Sequence, residues 1–236
     1  MNKLKTLYYV YRDILLTKYW LWRSKHSNTH GLILMYHHVT NEMVNISESC
    51  RHTVSQFRNT LLRLQNEGYT FVSVDEALSI IQKKSSKKFA VVTFDDVPES
   101  VYTNAYPILC ELNIPFTIFV SKSFIDAQGY LSEQQILELD KNKLCTVGAH
   151  TLTHPMLRMS KESDREISES KISLETLLGH KIQYFAYPYG KQAAVSHKTQ
   201  KEVQLAGYDA AFGTIESCIS DYTSKNKYYL PRVIVK

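Results

Sequence analysis

FAVVTFDDVPESVYTNAYPILCELNIPFTIFV (89–120) decides the fold. It opens on the apolar run FAVVTF (89–94) and closes on PFTIFV (115–120). Between them, Pro98 to Leu112 carries a helical pattern. Strand, helix, strand is the unit of a parallel sheet with helices packed outside it. The same alternation continues on both sides. Further strand-like runs are GLILMY (31–36), YTFVSV (69–74), LCTVGA (144–149), IQYFAY (182–187), YDAAF (208–212) and LPRVIV (230–235). Helical patterns cover Val54 to Glu67, Asp75 to Gln82, Ser132 to Leu139, Ser160 to Leu178 and Ser196 to Ala206. Ser132 stands where an N-cap is wanted, and Gly68, Gly179 and Gly207 stand where helices end. Seven or eight strands between residues 31 and 236 are too many for a small open sheet and suit an α/β barrel.

The chain has 236 residues, 44% of them hydrophobic and 22% charged. This length buries a core without metal or disulfide staples. Cys50, Cys110, Cys145 and Cys218 are widely spaced and form no CxxC pair, which argues against a disulfide scaffold or a thiolate zinc site. No apolar run reaches the roughly 18 residues of a membrane-spanning helix.

Lys3, Lys5, Arg12, Lys18, Arg23 and Lys25 face only Asp13 within residues 1–25, so that segment holds the whole net charge of +5. The rest is formally neutral, unlike a nucleic-acid-binding fold with a basic face. Residues 1–25 also carry Tyr8, Tyr9, Tyr11, Tyr19, Trp20 and Trp22, with Leu4, Leu7, Tyr8, Tyr11 and Leu15 at helical spacing. This reads as a basic amphipathic helix, set off from a domain at 31–236 by SKHSNTH (24–30). It packs either against the domain or on an anionic membrane surface. Arg12 and Asp13 interrupt the apolar core of a secretory signal, so the expected location is cytoplasmic or peripheral at a membrane.

In a (β/α) barrel the site lies at the C-terminal strand ends. FAVVTF is followed by Asp95-Asp96, LCTVGA by His150 with His154 after it, GLILMY by His37-His38, and IQYFAY leads into Pro188-Tyr189-Gly190; Arg232 lies on the last strand. A lone Asp-Asp is ordinarily a turn or a cap, and a lone HxxxH is ordinarily surface or core. Their concentration at one edge points to chemistry instead. Two His and one carboxylate form a common shell for a catalytic divalent metal, and a second carboxylate beside it can take a proton from water. Adjacent strand residues point opposite ways, so the chain must turn at Asp95-Asp96 for both to reach one site.

At these residues the chain resembles the polysaccharide deacetylases of the NodB-homology type, carbohydrate esterase family 4. TFDD (93–96), HTLTH (150–154) and YPYG (187–190) are similar to its three motifs. LMYHHV (34–39) resembles the opening of a subgroup acting on poly-N-acetylglucosamine. The resemblance covers residues 31–236 and implies a distorted (β/α) barrel with about seven parallel strands. It also implies metal-dependent removal of N-acetyl groups from an N-acetylglucosamine-containing glycan. Carried over, Asp95 is the general base, and Asp96, His150 and His154 hold the metal. The Tyr189 N–H stabilises the oxyanion. Zinc is the default ion, and the His₂Asp set also suits cobalt, nickel or iron.

Three positions depart from that pattern. Val97 replaces a Gly, so the loop is expected to differ in shape, because a β-branched residue tolerates positive φ poorly. Ala186 replaces an Arg that orients the base, and Arg232 is the expected substitute. The C-terminal Leu-x-His that supplies the general acid is absent, and His37 is the expected replacement. Two other readings use the same residues: removal of O-acetyl groups or action on a lipid-linked sugar, and a non-catalytic carbohydrate-binding module.

Overall fold

The computed structural model describes residues 31–42, 50–220 and 223–235. The basic amphipathic segment at 1–25 lies outside the described residues. In chain order the elements are β1 (Gly31–Tyr36), β2 (His38–Val39), β3 (Arg51–His52), α1 (Val54–Asn66), β4 (Thr70–Phe71) and α2 (Val74–Gln82). Then come β5 (Phe89–Asp95), a π-turn at Val101–Ala105 running into α3 (Tyr106–Glu111), β6 (Phe116–Val120), α4 (Glu133–Asp140) and β7 (Cys145–Ala149). The last are α5 (Ser163–Leu178), β8 (Tyr184–Ala186), α6 (His197–Leu205), β9 (Ala210–Phe212) and β10 (Val233–Ile234).

The main sheet runs β10-β1-β5-β6-β7-β8-β9, with β4 also on β5, and its strands pair in parallel. A parallel bridge between Phe212 and Leu230 brings the stretch before β10 against β9, so the sheet curls into a distorted (β/α) barrel. All seven residues of β5 are buried, as befits a strand covered on both faces. Val92 and Phe94 pack outward with α1 residues Phe57 and Leu61. Phe89 and Val91 belong to a second cluster with Ile33, Phe119, Tyr184 and Phe212, which fills the inside of the curl. By the two-residue period, Thr93 and Asp95 share that inner face. Gly148 on β7 leaves room for it, since a Cβ there would stand 2.6 Å from the Phe119 ring.

The expected elements are present, with adjustments; the strands expected at 182–187 and 230–235 shorten to Tyr184–Ala186 and Val233–Ile234. The strand expected at 69–74 shrinks to two residues, because Ser73 caps α2, its side chain accepting from the Glu76 N–H. The helix expected from Pro98 starts at Val101 as a π-turn. Pro107 has no N–H for the preceding turn, and its ring crowds a carbonyl there; a widened turn relieves both. The short β2–β3 pair was not anticipated. Ser132 does cap α4 in a capping box with Gln135, and Gly68, Gly179 and Gly207 all take positive φ after helices. No helix among the described residues is long and apolar enough to cross a membrane.

Candidate active site

Register places the chemistry. Tyr36 lies opposite Phe94, Asp95 opposite Phe119, Val120 opposite Ala149, and Ala149 opposite Phe185. The next residues along the chain, His37, Asp96 and His150, therefore meet at one rim. Asp95 faces inward as the last residue of β5, and Asp96 would face outward in a continued strand. The chain instead reverses tightly: the Val97 N–H donates to the Asp95 carbonyl at 2.7 Å, with Asp96 at φ 62°. This turn brings both carboxylates to the same cavity.

Asp95 is nearly fully buried, and so is Arg232. Both Arg232 Nη atoms donate to the Asp95 oxygens at 2.6 Å, Nη1 also to Thr93 Oγ1 at 3.3 Å, and Nε to the Gly213 carbonyl at 3.0 Å. The guanidinium lies 5.4 Å from the Phe119 ring centre. Arg232 thus makes the contact with Asp95 expected of it. Burial opposes charge on Asp95, but the Arg232 guanidinium, with His150 and His37 adding, brings its carboxyl down to about 2.

Asp96, His150 and His154 form the second group, each offering one ligand atom within 4.8 Å of the others. His150 Nε2 is 3.5 Å and His154 Nε2 3.2 Å from Asp96 Oδ1. That oxygen is buried and has no hydrogen bond, so the three atoms converge on a common point rather than pair with one another. His150 Nδ1 meets the Ala186 carbonyl at 2.8 Å, so Nδ1 carries the proton and the Nε2 lone pair faces the cavity. Burial brings His150 down to about 3 and also lowers His154. Burial raises Asp96 to about 6 against the opposing pull of His37. Neutral imidazoles beside a carboxylate whose charge is uncompensated are the donor set a divalent cation requires, and the residues fit one.

His37 Nε2 stands 4.0 Å from Asp96 Oδ2 on the other side of the cavity. His38 begins β2 and pairs with Arg51. Tyr189 sits at φ 62°, 57% exposed, with its ring 5.0 Å from that of His154. Its N–H has no hydrogen-bond partner among the described residues. All seven residues singled out from the sequence therefore stand at one rim.

Val97 departs from expectation. The loop keeps its left-handed turn with the β-branched residue in it, at φ 49°. The Val97 side chain is 2% exposed within the outer core, and its carbonyl accepts from the Leu131 N–H at 3.1 Å. Burial offsets the strain. Sequence reasoning missed Thr93, although the two-residue period places it beside Asp95. It also missed Phe124 and Tyr130, stacked at 4.6 Å, with Phe124 5.6 Å from His154. Their loop carries no motif.

The sequence profile described as polysaccharide deacetylase matches residues 82–211. The chain is 25% identical over 242 residues to poly-beta-1,6-N-acetyl-D-glucosamine N-deacetylase of Staphylococcus aureus (strain MRSA252), covering 90% of this chain and 81% of that protein. Among solved structures it is similar to IcaB from Ammonifex degensii, with 26% identity, a TM-score of 0.76, and coverage of 88% and 92% of the two chains. A polysaccharide deacetylase from Bacillus cereus superimposes with a TM-score of 0.75 at 25% identity, over 86% of this chain and 64% of that one.

Proposed function

This chain belongs to the polysaccharide deacetylase family, and we propose that it removes N-acetyl groups from an N-acetylglucosamine-containing glycan, releasing acetate and leaving a free amine. Membership makes it a hydrolase of carbon–nitrogen bonds. The polymer named for the Staphylococcus aureus relative supports the substrate class. In this reading residues 31–236 are the deacetylase domain, and 1–25 are a separate basic element. One observation carries the reading: an Arg-clamped carboxylate, a three-ligand Asp/His/His cluster and a further histidine share one rim.

Asp96, His150 and His154 would hold the metal, with zinc the default. A divalent cation held there would supply Lewis acidity, polarising the acetyl carbonyl and making water more acidic. Asp95 takes a proton from the attacking water. Arg232 keeps Asp95 ionised at working pH and fixes its direction, at the cost of basicity. Negative charge develops on the acetyl oxygen, where the Tyr189 N–H meets it; one such donor is typically worth about 3–4 kcal/mol. The C–N bond then breaks, and His37 gives its proton to the departing nitrogen. Acetate and the amine leave, and solvent restores both proton carriers.

The test is to follow acetate and primary amine together, from β-1,6-linked N-acetylglucosamine oligomers and from O-acetylated xylan. Equal acetate and amine from the oligomers is expected. Acetate from xylan alone would replace the N-acetyl reading with an O-acetyl one.

A further inference from the structure

We propose that Glu166, on the first turns of α5, is a positioning residue for the metal site, acting through the loop that carries both histidine ligands. The inference rests on the reading of Asp96, His150 and His154 as metal ligands.

The loop HTLTH (150–154) has to present two imidazoles to one point. It does so in a conformation that L-residues rarely hold, with Thr151 at φ 70° and His154 at φ 58°. Such a loop persists only when its surroundings over-determine it. Its carbonyls are held from one side: the Lys122 N–H donates to Thr151 O at 3.2 Å, and the Ser123 N–H to Leu152 O at 2.8 Å. The His154 N–H is held internally, donating to Thr151 Oγ1 at 3.0 Å. The N–H groups of Leu152 and Thr153 both go to Glu166. Leu152 N and Thr153 N donate to its Oε2 at 3.0 and 2.9 Å, and Thr153 Oγ1 donates to its Oε1 at 2.6 Å. One carboxylate thus holds every donor of the two residues Leu152 and Thr153, which lie between His150 and His154.

The charge matters as well as the reach. Hydrogen bonds to an ionised acceptor are about twice as strong as neutral ones. Glu166 also lies in the first turn of α5, where the helix dipole favours a negative group. The two histidines depend on it unequally. His150 is anchored directly, by the Ala186 carbonyl on Nδ1. His154 sits with its ring between those of Phe124 and Tyr189, and the loop backbone sets where Nε2 points. Releasing Leu152 and Thr153 therefore moves His154 before it moves His150.

The experiment compares Glu166→Ala, Glu166→Gln and Glu169→Ala with the unmodified chain, using Zn²⁺ affinity by chelator competition, the visible spectrum of the Co²⁺ form, and acetate release. Glu169 is exposed on the same helix and pairs only with Arg165 among the described residues, at 2.9 Å. It controls for helix stability and should leave metal affinity unchanged. Glu166→Ala is expected to bind Zn²⁺ about 10–100-fold more weakly, the usual effect of losing a group that orients metal ligands, and to alter the Co²⁺ bands. Glu166→Gln keeps one acceptor oxygen and should fall between. Zn²⁺ affinity within twofold of the unmodified chain and an unchanged Co²⁺ spectrum in Glu166→Ala would overturn the proposal. Should that variant fail to fold, Glu166→Gln combined with Thr153→Ala decides, and unchanged affinity there overturns it equally. If the unmodified chain binds neither Zn²⁺ nor Co²⁺, the ligand reading itself is what fails.

Discussion

Replacing Arg232 with methionine should reverse the way the stability of this fold responds to pH. The Asp95 carboxyl sits at about 2 in the folded protein against an ordinary 3.8, held there chiefly by Arg232 against the opposing effect of burial. A depressed carboxylate stabilises the fold above its unfolded value, and this contribution is lost as pH falls through the folded one. The difference is worth about 2 kcal/mol above roughly pH 4, fading towards pH 2. Arg232→Met leaves Asp95, 3% exposed, without its cation. Removing one partner of a buried pair costs about 3–5 kcal/mol, because the other charge stays buried and uncompensated. Burial then pushes the carboxyl above 3.8, and the sign changes. A raised carboxyl favours the fold below its unfolded value and loses that contribution as pH rises, so the variant regains stability relative to the parent on acidification. Urea unfolding between pH 3 and 8, in chelator so that metal linkage plays no part, measures both effects. Adding Asp95→Asn removes the orphaned charge and should recover part of the loss, the coupling expected of residues in contact. A loss under about 1 kcal/mol at neutral pH, with a pH profile parallel to the parent, would refute the account of this pair.

Asp95→Asn should abolish turnover while Zn²⁺ stays bound, since Asp96, His150 and His154 are intact; retained activity sinks the base assignment. His37→Ala should lower kcat by about 10²–10⁴-fold, the usual range for a lost general acid, again with metal retained, whereas an unchanged kcat would remove His37 from proton transfer. His154→Ala should lose tight Zn²⁺ binding in a chelator competition, and equal affinity would exclude it as a ligand. Val97→Gly relieves about 1–3 kcal/mol of strain at φ 49° but gives up a buried side chain of similar worth. Its stability in denaturant should therefore stay within about 1 kcal/mol of the parent, and a loss above about 3 kcal/mol would show that Val97 is unstrained.

Features that obey a strict pattern were legible in the sequence. FAVVTF and PFTIFV, apolar but for Thr93 and Thr117, alternate with helical patterns and so read as strands of a parallel sheet, and the residues after each strand had to meet at one rim. That logic reached Asp95, Asp96, His150, His154, His37 and Arg232, although Arg232 lies 137 residues from the carboxylate it grips. It did not reach features set by packing. The Val97 turn looked unfavourable because local propensity disfavours it, while core burial of its side chain decides otherwise. Pro107 turned the start of a helix into a π-turn. Glu166 belongs to no motif and lies inside the helical pattern Ser160 to Leu178. Its contacts run to a loop on another element, and no spacing rule connects α5 to HTLTH.

The most direct test of the central claim is acetate release from N-acetylglucosamine oligomers by chain stripped of metal and then titrated with Zn²⁺. The account predicts no release from the stripped chain, and recovery that saturates near one ion per chain. Full activity in the stripped chain, or none at saturating Zn²⁺ with one ion bound, would contradict it.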